Sequence, residues 1–191
     1  MQDARALAIE EDAPVGERDE ELALAARSDP TAFGLLYSRH RLAVFRYLRT
    51  RTSGEDNAAD LTAVTFERAM VAMPRYRPTG GGFLAWLLRI ARNAAIDAGR
   101  RGLATPLIAD IPDERPASLP EARVLANERR TALAAAVNDL PLVQQEALVL
   151  RYAAGLTARE IGDVLGKSDQ AAQKLLSRAL ATIRESYRVD I

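Results

Sequence analysis

Apolar residues recur along this chain three and four apart, the spacing of a helix face, and no segment shows the sustained alternation of a half-buried strand. A sharp start signal stands at Asp29-Pro30, where a carboxylate able to accept from free backbone amides precedes a proline suited to the first helical position. Beyond it Phe33, Leu36, Tyr37, His40, Val44 and Tyr47 share one face of a helix expected to reach about Arg51, and Glu17 to Ser28 forms a shorter helix before it. A second long helix is expected from about Glu55 to Met73, with Ala58, Leu61, Thr65, Phe66, Ala69 and Met73 aligned and Pro74 ending it. After a loop, Arg75 to Gly82, a third runs to about Arg101 with Phe83, Trp86, Leu87, Ile90 and Ala94 on one stripe.

The pattern then lapses. Residues Gly102 to Pro120 carry four of the nine prolines without any period, the composition of a linker. Helical spacing resumes over Glu121 to Asp139, and Pro141 opens a further helix carrying Leu142, Ala147, Leu148, Leu150 and Tyr152, which Gly155 stops. Thr157 and Glu160 stand three apart ahead of Ile161, Val164 and Leu165, a capping-box signature. Gly166 ends that short helix and Ser168 can cap the next, which Ala171, Ala172, Leu175, Leu176, Ala179, Leu180 and Ile183 carry toward the end. The expected fold is all-α: an acidic, poorly ordered tail over 1–18, a helical domain over 19–101, a flexible linker over 102–120 and a second helical domain over 121–191.

Composition adds exclusions. With no cysteine there is no disulfide framework, thiolate nucleophile or zinc-cysteine site, and His40 is the only histidine. Its place on an apolar stripe marks it as a core or boundary residue, since the nearest carboxylates in sequence lie outside its helical turn. The longest run free of charge, Pro78 to Leu88, is far shorter than the ~18 residues of a membrane span. Acids at Asp3, Glu10, Glu11 and Asp12 stand where a secretory signal needs a basic start, so no membrane insertion and a cytoplasmic location are expected. The acidic pairs fall in the tail, a short helix and the linker, and the Gly80-Gly81-Gly82 run lacks the lysine and the strand of a phosphate loop, so neither an enzyme nor a cofactor is expected.

Charge sharpens the picture. The formal net charge is zero, yet residues 31 to 101 hold 12 Arg against 5 acids, a balance of +7, while residues 1 to 30 hold 3 Arg against 9 acids, a balance of −6. The basic block contains Arg75, Tyr76 and Arg77 in the loop and Arg89, Arg92, Asn93, Arg100 and Arg101 on the third helix, away from its apolar stripe. Cations beside an exposed aromatic suit a single strand, because phosphates are neutralised while a base stacks. Leu156 to Ile183 has the layout of a helix-turn-helix, whose second helix presents Asp169, Gln170, Gln173, Lys174, Ser177 and Arg178 outward. Gln can pair with adenine edges, and Lys and Arg with guanine or phosphate. A helical hairpin with a solvated face fits the same spacing.

Several strings resemble the extracytoplasmic-function group of bacterial RNA polymerase sigma factors, within the sigma-70 family. Asp29-Pro-Thr-Ala-Phe-Gly-Leu-Leu-Tyr37 is similar to the start of that family's region 2, and Asp56 to Ala69 to its core-binding helix. Phe83-Leu-Ala-Trp86 through Asn93, Asp97 and Arg100-Arg101 resembles its promoter-melting helix. Leu140 to Leu148, Gly155 to Ile161 and Ser177 to Leu180 resemble region 4, whose helix-turn-helix reads the −35 element.

The resemblance implies a non-catalytic specificity subunit whose partners are core RNA polymerase, at its clamp and flap regions, and promoter DNA, with an anti-sigma factor as a further candidate partner. It assigns core binding to Asp56, Asp60, Leu61 and Phe66, the −10 element to the loop and third-helix residues named above, and the −35 element to Arg159, Gln170, Gln173, Lys174, Ser177 and Arg178. The match departs at Ala63 and Val64, where the family usually has Gln-Glu, and at Leu175, often cationic in the family. A helix-turn-helix regulator independent of polymerase and a helical interaction protein without DNA binding are the readings from other classes.

Overall fold

The computed structural model describes residues 15–100 and 131–189, and among these every regular element is helical. In chain order they are α1 (Val15–Ala25), α2 (Pro30–Arg49), α3 (Glu55–Ala72), a 3-10 turn (Met73–Arg75), α4 (Gly82–Arg100), α5 (131–138), α6 (Leu142–Tyr152), α7 (Ala158–Leu165) and α8 (Asp169–Val189). Residues 1–14 of the expected acidic tail lie outside the described residues, as do the 102–120 linker, the start of the helix expected from Glu121, and Arg101, while residues 15–18, expected in that tail, open α1.

The local start and stop signals are met at atomic detail. Asp29 is extended and its side chain accepts from Thr31 N at 2.8 Å, with Pro30 opening α2 behind it. Helix α3 has no side-chain cap, and Glu55 and Asp56 in its first turn face the positive end of the helix dipole instead. Thr157 and Glu160 form both bonds of the capping box at α7, and Gly166 closes that helix in the left-handed conformation at φ 65°. Ala171 N donates to Ser168 Oγ at 3.2 Å, starting α8.

In the first half α1, α2 and α3 pack around α4. Its core is aromatic: Phe83 lies 5.8 Å from Tyr76 and 5.5 Å from Trp86, and Phe66 lies 4.7 Å from Tyr37. In the second half α7 and α6 both pack on α8, around Leu150, Leu156, Ile161, Ala172 and Ala179. Gly162 makes the helix-turn-helix bend possible, because a Cβ there would sit 2.7 Å from the backbone oxygen of Lys167 as the chain turns back.

One expectation needs correction. The stripe on α4 is too narrow: Ala85, Leu88, Ala91, Ala95 and Ala98 are buried as well, while Trp86 and Ile90 are half-buried. The reason is that α4 also contacts α7 of the second half, and buried apolar residues of both halves form one contiguous cluster. His40, read as a core or boundary residue, is 5% exposed, and its Nε2 lies 2.9 Å from Asp19 Oδ2 of α1, whose other oxygen Arg39 bonds. Burial works against the Asp19 charge, but the bonds from His40 and Arg39 outweigh it and hold its carboxyl below the ordinary aspartate value.

Candidate nucleic-acid interface

The 3-10 turn that follows α3 and the loop after it carry Arg75 and Arg77 exposed on either side of Tyr76, Pro74 having stopped α3 from continuing. Along α4, Arg89, Asn93 and Arg100 are exposed and, four and seven residues apart, share one side of the helix. Tyr76 is not exposed with them. Its ring is 1% exposed, stacked edge-on to Trp86 at 5.0 Å, and its hydroxyl donates to Glu20 Oε2 at 2.8 Å. Burial and the adjacent Glu20 push the phenol well above its usual range. The expectation of an exposed stacking aromatic is therefore corrected: the apolar packing of the first half takes the ring, and the cations flank it.

Arg92 is the second departure. It is half-buried, and its Nε donates to Glu146 Oε1 at 2.9 Å, across from α6. The same oxygen accepts from Arg51 Nη2 at 2.7 Å and from the Tyr47 hydroxyl at 3.2 Å. Glu146 is 5% exposed, a charged group withdrawn from water and compensated by two guanidinium groups. Tyr47 is wholly buried, and burial first, with Glu146 adding to it, moves its phenol far above the ordinary value. Nothing in the local pattern marks Glu146 as interior, since its partners are 54, 95 and 99 residues away.

Among the residues assigned to core binding, Asp56 and Asp60 are exposed on α3 and Leu61 is half-buried. Phe66 is 4% exposed, its ring edge-on to Tyr37 and to Phe33, so it packs α3 on α2. Sequence spacing missed Met70 and Val71, large apolar residues that α3 leaves exposed because they fall off its buried face.

In the second half Gln170, Gln173, Lys174, Ser177 and Arg178 are all exposed along α8, as the helix-turn-helix layout requires. Gln173 Nε2 donates to Asp169 Oδ1 at 3.1 Å, which holds its amide near the start of the helix. Leu175, the departure from the family pattern, is half-buried and packs on the apolar cluster, so it faces inward beside the reading surface. Arg159, on α7, reaches the backbone of Gly80 in the cationic loop of the first half. Among the described residues no helix is long and apolar enough to cross a membrane and no cluster of side chains suits a metal ion.

Comparisons with known proteins agree with this division. Residues 36–103 match the family model for sigma-70 region 2, and residues 130–183 match that for sigma-70 region 4. The chain is 34% identical to the ECF RNA polymerase sigma factor BldN of Streptomyces coelicolor over 94% of its own length and 65% of that protein's. It is 36% identical to the ECF sigma factor ShbA of Streptomyces griseus, with 78% and 84% covered, and 31% identical to SigD of Mycobacterium tuberculosis, with 89% and 84% covered. Among solved structures it resembles CnrH in complex with the cytosolic domain of CnrY, at a TM-score of 0.63 and 27% identity over 91% of this chain and 99% of that one.

Proposed function

The chain belongs to the extracytoplasmic-function group of the sigma-70 family, and from that premise we propose that it is an alternative sigma factor directing core RNA polymerase to a specific set of promoters. In this reading residues 19–101 act as region 2, with the exposed acids Asp56 and Asp60 of α3 toward the polymerase clamp and the cationic loop and α4 toward the −10 element. Residues 121–191 act as region 4, with α8 reading the −35 element as duplex and the flap of the polymerase as the second contact. The protein supplies specificity and strand capture while the polymerase supplies the chemistry, and it works in the cytoplasm, where polymerase and promoter are.

The observation that carries the reading is the distribution of exposed charge over the two matched regions. Arg75, Arg77, Arg89 and Arg100 are exposed in the first, cations suited to phosphates of a displaced strand, and Gln170, Gln173, Lys174 and Arg178 are exposed along the recognition helix of the other. A single-site regulator needs only the second set. The test is run-off transcription with purified core polymerase over a genomic promoter library. A shared pair of −10 and −35 motifs among the transcripts is expected. If copurification with core fails and no promoter is selected, the chain is a regulator or interaction protein instead.

A further inference from the structure

The region 2 match begins at residue 36, so α1 precedes it, yet α1 reaches the cationic loop. Two adjacent carboxylates of this helix point to different neighbours, as residues about 100° apart around a helix axis must. Asp19 turns to α2, where Arg39 bonds one of its oxygens and His40 Nε2 lies 2.9 Å from the other. Leu22, Ala23 and Ala26 are buried in the same core, so packing as well as charge fixes α1 in place. Glu20 turns to the loop.

That carboxylate stands at the neck of the loop. Its Oε2 accepts from the Tyr76 hydroxyl at 2.8 Å, where the loop begins, and its Oε1 lies 3.5 Å from where a Cβ on Gly82 would be, where α4 begins. Gly82 holds the left-handed conformation at φ 74° and its amide donates to Thr79 O at 3.0 Å, so this end is a tight turn. Arg75 and Arg77 emerge on either side of the tyrosine that Glu20 holds, and the ring of that tyrosine lies edge-on to Trp86 at 5.0 Å. The Glu20 oxygen facing Gly82 is buried and has no hydrogen-bond partner among the described residues. A carboxylate under a phosphate-binding loop opposes binding by its charge, so its use there lies in geometry.

We propose that Glu20 is a positioning residue for strand capture: α1, anchored on α2 through Asp19, sets the pose of Arg75 and Arg77 by holding the Tyr76 hydroxyl at the neck of their loop. The loop is thus set from outside the matched region. Phosphates of the displaced strand meet cations already in place, and the entropy cost of ordering the loop falls on folding rather than on binding. The inference deepens the proposed function and rests on it for the identity of the strand, while the control of the loop by α1 is a property of the chain itself.

Trp86 is the only tryptophan and its ring lies against Tyr76, so its fluorescence in the full chain reports the neck of the loop. Glu20→Ala should shift that emission and raise its quenching by acrylamide, at the parent's helical content by circular dichroism. Tyr76→Phe keeps the ring in the core and should do the same, which preserves the test if the alanine variant loses helix. Glu21→Ala removes the same charge from an exposed neighbour on α1 and should leave the emission unchanged. Glu20→Gln keeps an acceptor for the hydroxyl and should stay near the parent. With core polymerase, on a promoter selected in the run-off library, Glu20→Ala should compete for core as the parent does and lose as many permanganate-reactive thymines as Arg75→Ala with Arg77→Ala. A role through charge alone predicts the reverse, since removing a carboxylate strengthens phosphate binding. Emission that ignores both Glu20→Ala and Tyr76→Phe, or a Glu20→Gln variant that behaves as the alanine one, overturns the positioning; an emission shift with unchanged thymine reactivity overturns its part in strand capture. If the parent fails in run-off transcription while the emission shifts, the control by α1 stands and the sigma-factor reading falls; if it transcribes while emission and bubble ignore Glu20→Ala, the reverse holds.

Discussion

The Tyr76 hydroxyl donates to Glu20 at 2.8 Å, tying the start of the cationic loop to α1 across 56 residues. The bond fixes where Arg75 and Arg77 emerge, since the ring between them is held by Trp86 and Phe83 inside the first half. Tyr76→Phe keeps the ring and removes the bond to a carboxylate, so it should cost about 1.5 to 3 kcal/mol in chemical denaturation, the range for hydrogen bonds to charged groups. Tyr76→Ala opens a cavity in addition and should cost more, about 3 to 5 kcal/mol. A ring that served to stack a base would give the opposite pattern, with full stability in both variants and lost strand binding.

Asp19 gives the first half a defined response to acid. Its folded pKa lies below the ordinary value of 3.8, because His40 and Arg39 outweigh the effect of burial. The stabilisation is therefore complete above that ordinary value and is lost as pH falls through the lower folded value. Asp19→Asn should lower stability at neutral pH and flatten the acid limb of a stability-against-pH curve. An acid limb identical to the parent's would show that other carboxylates set it.

The exposed cations of the loop should act after polymerase binding. Arg75→Ala with Arg77→Ala should leave competition for core polymerase unchanged and reduce permanganate-reactive thymines in the promoter bubble. Each lost phosphate contact on a single strand should also lower the salt slope of binding by about 0.7. Unchanged melting with an unchanged slope would return both arginines to an ordinary solvated surface.

On α8 the neighbouring Gln173 and Lys174 should separate base reading from phosphate contact. Gln173→Ala should relax preference at one or two −35 base pairs by about 1 to 3 kcal/mol. Lys174→Ala should weaken binding by a similar factor on every sequence. Both are exposed and outside the apolar packing, so neither should alter thermal unfolding measurably. If promoter substitutions at −35 and both residue changes leave initiation unaffected, region 4 serves here as a polymerase anchor.

The helices and their ends were legible in the sequence because the signals are local. The caps at Asp29 and Thr157, the stop at Gly166 and the 3.6-residue spacing act within a turn or two of the chain, so reading them needs no partner. The exposed face of α8 followed by subtraction once its apolar side was fixed. Tertiary packing alone decided which side chains on those helices are spent inside. Phe66 and Tyr76 are buried because α2 and α1 supply the other wall, and His40 finds Asp19 only across a helix interface. Glu146 reads locally as one more charge on a helix, and it becomes interior because Tyr47, Arg51 and Arg92, from 54 to 99 residues away, converge on one of its oxygens. A desolvated charge is tolerable only where such partners meet it, and no periodicity within one helix can say where that is.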